Sequence, residues 1–334
     1  MPKKKYLSCK ELESSLFLAP DELRSCCQRF FHNGKMRGDA SLLKINKGDV
    51  PTSKKILDAR NRIFEDIQNK NSESCTGCHH LYERETKPKF DNSLDHLSVE
   101  QHTFCNLRCS YCSPMFYGGE KPNYNVLNLV KLLKQDGYFQ NLKQVVWGGG
   151  EPTLDKSFEL LVNEINSETN PEIYHRIFTN SVRYSEALAN FLKKGLVKIV
   201  TSIDSGTPET FKKVRGRVKF EEVFVNLQKY SEINPNKITI KYILTDHNKS
   251  EEELESFVNK CVKFNLDNCA YQISMDYKSE IIELDTLKKI SYLIGQLKKN
   301  NIKKIFCDDH IARRFKTLNS DQKVELEKYV ELNK

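Results

Sequence analysis

From about residue 96 onward, short runs of apolar and β-branched residues alternate with stretches whose apolar positions recur every three to four residues. The runs cover residues 97–104, 143–147, 173–179, 197–203, 237–244 and 268–275, with a seventh candidate at 302–307. Their length and composition suit buried strands. Residues 125–135, 157–165, 185–193, 251–264 and 284–298 carry helical spacing between them. Strands alternating with helices predict an α/β fold with a parallel sheet. Six or so units are too few for an eight-fold barrel, so a partial (β/α)6 barrel of the TIM type fits the count. In such barrels the chemistry gathers at the C-terminal ends of the strands.

Residues 1–90 lack this rhythm. They hold turn signals at Asn33-Gly34 and Lys47-Gly48-Asp49 and one helix-like stretch, residues 53–69, with Ile56, Leu57, Ile63, Phe64 and Ile67 at roughly helical spacing. Residues 85–89 read as a linker. The expected organisation is a cysteine-rich module over 1–90, a core domain over 95–310 and a charged helical tail over 311–334.

Hydrophobic residues make up 38% of the 334-residue chain, and no apolar run approaches the ~18 residues of a membrane span. No membrane partner is therefore expected. The basic N-terminus is followed by no apolar signal core, which predicts a cytoplasmic protein. The net charge is +8, and residues 1–90 hold 18 Lys/Arg against 12 Asp/Glu. Acidic residues interrupt the basic ones, as on a solvated surface, and no RNA-binding motif is present, so nucleic acid is not an expected partner. Of eleven cysteines, Cys261, Cys269 and Cys307 stand alone and read as small buried hydrophobes. The others are closely spaced, which in a reducing compartment points to metal or catalysis.

Three of them follow the first strand as Cys105-x3-Cys109-x2-Cys112. Three thiolates can hold one soft metal centre. Structural zinc sites close with four ligands, whereas an iron–sulfur cluster held by three cysteines leaves one iron open. The second strand ends in Trp147-Gly148-Gly149-Gly150-Glu151-Pro152. Glycines admit a ligand close to the backbone, and Glu151 offers a carboxylate to an ammonium group.

In this order the two motifs resemble the radical S-adenosylmethionine (radical SAM) superfamily. The resemblance spans about residues 97–308. It implies that Cys105, Cys109 and Cys112 hold a [4Fe–4S] cluster whose open iron takes the methionine part of SAM. The reduced cluster then cleaves SAM to a 5′-deoxyadenosyl radical that abstracts hydrogen from a substrate. An electron donor such as flavodoxin or ferredoxin is implied as a partner. Further implied SAM contacts are Tyr111 beside the adenine, Gly149, Gly150 and Glu151 at the ammonium, and Arg215 at the carboxylate. Asn180, at the end of the third strand, is implied at the ribose or the substrate. Ser202 and Asp204, at the end of the fourth, sit one residue apart and so share a face; they are implied at the ribose, or else cap the next helix. No residue reads plainly as a general acid or base. Tyr117, Tyr242, Gln272 and Asp276 lie near strand ends as candidates to face substrate.

Cys9, Cys26-Cys27 and Cys75-Thr76-Gly77-Cys78 form a second set. Their order resembles the SPASM or twitch auxiliary-cluster module, here preceding the barrel. Cys9, one of Cys26 and Cys27, Cys75 and Cys78 would complete a second [4Fe–4S] cluster. Zinc is the competing reading, since His79 and His80 follow; a third is that only the final pair binds anything. Such modules are associated with peptide substrates. The expected function is therefore a radical SAM enzyme acting on a peptide, a protein or a small polar metabolite such as a sugar. An RNA-modifying enzyme and a non-catalytic iron–sulfur or zinc protein are the alternatives. An intact Gly149-Gly150-Glu151 with Arg215 argues against the last, because a structural site needs no SAM pocket.

Overall fold

A computed structural model describes residues 5–112, 118–166, 173–276 and 281–332. The chain divides into two compact units: Met1–Cys105 with Gly118–Arg176, and Asn106–Tyr117 with Ile177–Lys334. The first crossing falls inside the cysteine motif.

The first unit opens with β1 (Tyr6–Ser8), α1 (Lys10–Ser14), β2 (Ser15–Leu18), β3 (Glu22–Arg24), β4 (Arg29–His32), β5 (Lys35–Gly38), β6 (Ser41–Lys44), α2 (Ser53–Gln68) and β7 (Tyr82–Arg84). Then follow β8 (His96–Val99), α3 (Val126–Gln135), β9 (Gln144–Trp147) and α4 (Phe158–Ile165). Helix α2 begins behind an N-cap, Thr52, whose hydroxyl accepts from the Lys55 amide, and it buries Ile56, Ala59, Arg60, Phe64 and Ile67 on one stripe. Arg60 is fully buried and donates to the carbonyls of Glu13 (3.0 Å) and Ser15 (2.9 Å). It thereby satisfies backbone groups where α1 gives way to β2.

The N-terminal residues hold more strand than their pattern suggested. β2 is buried along its whole length and runs parallel to β8, with Leu18 opposite Val99. β3 and β6 extend the same sheet antiparallel, and β9 runs parallel to β8 on its other side. The strand expected over 97–104 stops at Val99. Beyond it Thr103 binds the 118–120 backbone instead, its carbonyl and hydroxyl accepting from Gly119 and Glu120.

β10 (Tyr174–Phe178) straddles the division. In the first unit Tyr174 N donates to Lys143 O; in the second, Thr179 N donates to Val200 O. The second unit continues with α5 (Glu186–Lys193), β11 (Val197–Ser202), α6 (Pro208–Arg215), α7 (Phe220–Ile233), β12 (Ile238–Leu244), α8 (Glu251–Lys263), β13 (Ala270–Met275), α9 (Leu284–Lys299) and β14 (Ile305–Cys307). Two helices close it, α10 (Asp309–Phe315) and α11 (Ser320–Leu332). β11, β12, β13 and β14 pair in parallel in that order. The α/β class and the strand–helix alternation of a partial barrel are thus present, and the seventh candidate strand exists as β14. Among the described residues no helix is long and apolar enough to cross a membrane.

Cys261 and Cys269 are buried, as expected, but Cys307 is exposed. It ends β14, which among the described residues pairs with β13 alone.

Candidate functional site

In the first unit the glycine motif packs against the segment that leads into Cys105. Gly150 N donates to His102 O (3.0 Å) and Glu151 N to Phe104 O (2.6 Å). A Cβ at position 150 would stand 2.8 Å from Phe104 N and overlap its carbonyl; one at 149 would stand 2.9 Å from His102 O. Gly149 also has φ +82°, a region open to glycine. These glycines therefore serve close approach of backbone to backbone. Glu151 is 2% exposed. Its carboxylate accepts from the Thr153 hydroxyl (2.7 Å) and amide (3.3 Å), so it caps the short turn of Pro152–Leu154.

Glu100 and His102 were not singled out from the sequence. His102 Nδ1 accepts from the Phe104 amide (3.2 Å). A Cβ on Gly148 would stand 2.9 Å from Glu100 Oε1. Burial raises the Glu100 carboxyl to about 7, against the lowering influence of Arg24 and Arg29.

In the second unit three candidates form one network. Tyr111 donates its hydroxyl proton to Asp204 Oδ2 (2.6 Å), and Arg215 Nη1 donates to the same oxygen (2.9 Å) and to the Tyr111 hydroxyl. The Arg215 guanidinium carbon lies 5.7 Å from the Tyr111 ring centre. Asp204 Oδ1 accepts from Ile243 N (2.7 Å). The cysteine loop is tied to the end of α6 through Arg108 N to Arg215 O (3.0 Å) and Ser110 N to Val214 O (2.8 Å). Gly216 ends α6 at φ +76°, where a Cβ would overlap the Arg108 carbonyl. Burial raises the Cys109 thiol, while Arg215 opposes it. Cys112 N closes a turn on Cys109 O (3.1 Å). Asn180 donates to Asn106 Oδ1 (2.6 Å), at the start of the same loop.

Other expectations are corrected. Ser202 and Asp204 do not share a face: β11 ends at Ser202, and Asp204 turns left-handed at φ +60°, which breaks the period of two. Tyr242 does not face outward as a substrate contact. It is buried, donates to Asn248 O (2.6 Å) and lies 4.7 Å from the Phe257 ring. Gln272 sits opposite Lys241, which sits opposite Ser202. Lys241 pairs with Asp308 at 3.8 Å, and no motif marked it. Asp276 lines a cavity with Leu244, Lys249 and Glu283. Tyr117 lies outside the described residues.

Among the N-terminal cysteines, Cys9, Cys26, Cys75 and Cys78 line one small cavity with Leu12, Phe30 and His80, and Cys27 is not in its wall. The pair is built by a tight turn: Cys75 N donates to Ser72 Oγ (3.2 Å), Cys78 N to Cys75 O (3.0 Å), and Gly77 sits at φ +79° with its α-hydrogens against His32. Cys9 caps α1, its Sγ accepting from Leu12 N at 3.4 Å. Burial pushes the Cys9 thiol up to about 12 and that of Cys75 to about 11, so a nearby cation is what would hold them as thiolates. Among the described residues no three His, Cys, Asp or Glu side chains already converge on one ion position.

The radical SAM superfamily model matches residues 99–261. Over that stretch the chain carries a radical SAM domain. The matched stretch of the radical SAM domain includes both motifs, Asn180, Ser202, Asp204 and Arg215. The GTP 3′,8-cyclase of Haemophilus influenzae is 31% identical over 158 residues, 46% of each chain. That of Petrotoga mobilis is 27% identical over 225 residues, 66% of this chain and 65% of the other. The chain spans about half the length of the first of these relatives. Streptococcus suis SuiB bound to S-adenosylmethionine superposes with a TM-score of 0.54 at 16% identity, over 81% of this chain and 60% of that one. Its likeness shows the shared α/β fold. Radical SAM domains use a [4Fe–4S] cluster and SAM. The donor set here fits that pair: three closely spaced cysteines, a buried carboxylate at Glu151 and a buried guanidinium at Arg215.

Proposed function

We propose that this chain is a radical SAM enzyme acting on a small polar metabolite, with a nucleotide as the first substrate to test. The observation that carries the enzyme reading is the packing of Gly149 and Gly150 onto residues 102–104, which brings the glycine motif into direct backbone contact with the segment that leads into Cys105, 40-odd positions earlier in the sequence. A purely structural metal site has no use for that arrangement. The nucleotide reading rests on the sequence relatives, which are named for a reaction of GTP. A peptide is the other substrate class expected from the N-terminal cysteines.

Cys105, Cys109 and Cys112 would hold the cluster, which when bound supplies the electron for reductive cleavage of SAM. Glu151, fixed by Thr153, presents a carboxylate to the SAM ammonium. Arg215 presents a guanidinium to the SAM carboxylate, where its planar fork suits two parallel hydrogen bonds. Tyr111 offers a ring face to the adenine. Cys9, Cys26, Cys75 and Cys78 would hold a second metal centre, since they share one cavity. An auxiliary cluster there suits a polynuclear set of four thiolates, and zinc is the alternative. The division into a module over 1–90, a core over 95–310 and a tail is retained as a functional one.

The test is anaerobic reconstitution with iron and sulfide, then reduction with SAM, with and without GTP. Iron near eight per chain and 5′-deoxyadenosine that rises with GTP are expected. Deoxyadenosine that rises with a peptide and not with GTP would move the substrate class. A reducible cluster without any deoxyadenosine under either condition would overturn the enzyme reading.

A further inference from the structure

Asp204 was expected at the SAM ribose, yet it has no surface to offer. It is 0% exposed, and both carboxylate oxygens are already engaged. Oδ1 takes the Ile243 amide; Oδ2 takes the Tyr111 hydroxyl and Arg215 Nη1. Its own carbonyl accepts from Asn248 Nδ2 at 2.9 Å, and that same amide nitrogen donates to Ile243 O at 2.8 Å. Asn248 in turn accepts through Oδ1 from Thr245 N (2.7 Å). One carboxylate therefore joins three separate pieces of chain: the cysteine loop through Tyr111, the end of α6 through Arg215 and the end of β12 through Ile243. Its left-handed backbone, which a short polar side chain tolerates, aims the carboxylate at them.

We infer that Asp204 is a positioning residue that sets the guanidinium of Arg215 and the ring of Tyr111 for SAM. It acts through those two side chains and does not touch the ligand. A buried arginine without its carboxylate would relax toward other acceptors, and its fork would lose its aim. Asn248 belongs to the same device, since it fixes the turn that delivers the Ile243 amide. The inference rests on the reading that Arg215 holds SAM.

The test is a double-mutant cycle on the reconstituted protein, with SAM as probe. The SAM dissociation constant is read by equilibrium dialysis without turnover, and the reduced cluster's EPR spectrum is taken with and without SAM. Arg215→Gln should weaken SAM binding by roughly tenfold or more, the range of a charge-assisted hydrogen bond. Asp204→Asn should weaken it comparably. The Asp204→Asn, Arg215→Gln double variant should bind no worse than Arg215→Gln alone. Losses that multiply would overturn the inference, because Asp204 would then contact SAM by itself. Asp204→Asn binding like the wild type would also overturn it. If Arg215→Gln binds SAM normally, the Arg215 reading falls and the inference falls with it. Should Asp204→Asn fail to fold, Tyr111→Phe serves: its loss should disappear in the Arg215→Gln background, and persistence there would overturn the link.

Discussion

Glycine at position 150 lies against the carbonyl of Phe104, and no side chain fits between them. Its φ is not in the left-handed region, so alanine there is opposed by sterics alone. Gly150→Ala should push residues 102–105 off their seat. We expect a stability loss of about 1–3 kcal/mol and a fall in SAM cleavage of roughly 100-fold. Thermal melts and 5′-deoxyadenosine release check the two. Normal cleavage in this variant would show that the packing does not govern the cysteine loop.

Trp147 Nε1 donates to His175 Nδ1 at 3.0 Å inside the core of the first unit. Burial drops the His175 pKa to about 4, so the ring stays neutral when folded and charges when unfolded. The unfolded chain then binds more protons, and stability is lost as pH falls below about 6.5. The loss should reach about 2 kcal/mol by pH 5. His175→Gln, which keeps an acceptor, should flatten that part of the curve. Denaturant midpoints at pH 7 and pH 5 decide it.

Glu100 has the opposite sign. Its carboxyl is raised to about 7, so the folded chain holds a proton that the unfolded chain releases near pH 4.5. Stability therefore falls as pH rises from about 4.5 to 7, and the cost persists above. For this half-buried group about 2 kcal/mol is expected. Glu100→Gln should gain that much on the wild type at pH 8 while matching it near pH 4. Equal pH slopes for the two proteins would show that Glu100 is ionised without penalty.

Cys26 and Cys27 are adjacent and chemically identical, yet only Cys26 lines the cavity with Cys9, Cys75 and Cys78. Cys26→Ala should lose the N-terminal metal, and Cys27→Ala should keep it. Cys75→Ala with Cys78→Ala should also lose it, while the barrel cysteines still load iron. Metal content per chain, by mass spectrometry of the reconstituted proteins, separates these cases.

The strand–helix alternation after residue 96 was legible because apolar runs and amphipathic stretches have different periods. The three strands β2, β3 and β6 were not, because each is three or four residues long and carries no alternation to count. β2 reads Ser-Leu-Phe-Leu and is buried on both faces, so nothing in it distinguishes a strand from a short core segment. At the site, spacing was enough to find the cysteines and the glycines. The roles of Asp204 and Tyr242 were not readable, since each depends on partners 93 and 6 positions away whose approach only the fold dictates. Ser202 and Asp204 were assigned one face by a rule that holds only while the strand continues. The choice between Cys26 and Cys27 likewise needed the cavity.

The pairing of β2 with β8 bears on how the chain can be made and divided. Leu16 and Leu18 emerge from the ribosome some 80 residues before their partners Leu97 and Val99, so the edge of the N-terminal strand that faces away from β3 must wait for them. A polypeptide begun at residue 95 would bare one edge of β8, together with the apolar surface that β2 covers. Such an edge invites pairing with other chains. The cysteine-rich segment is thus no detachable ornament: the same stretch of chain that carries its cysteines also supplies strands that flank β8.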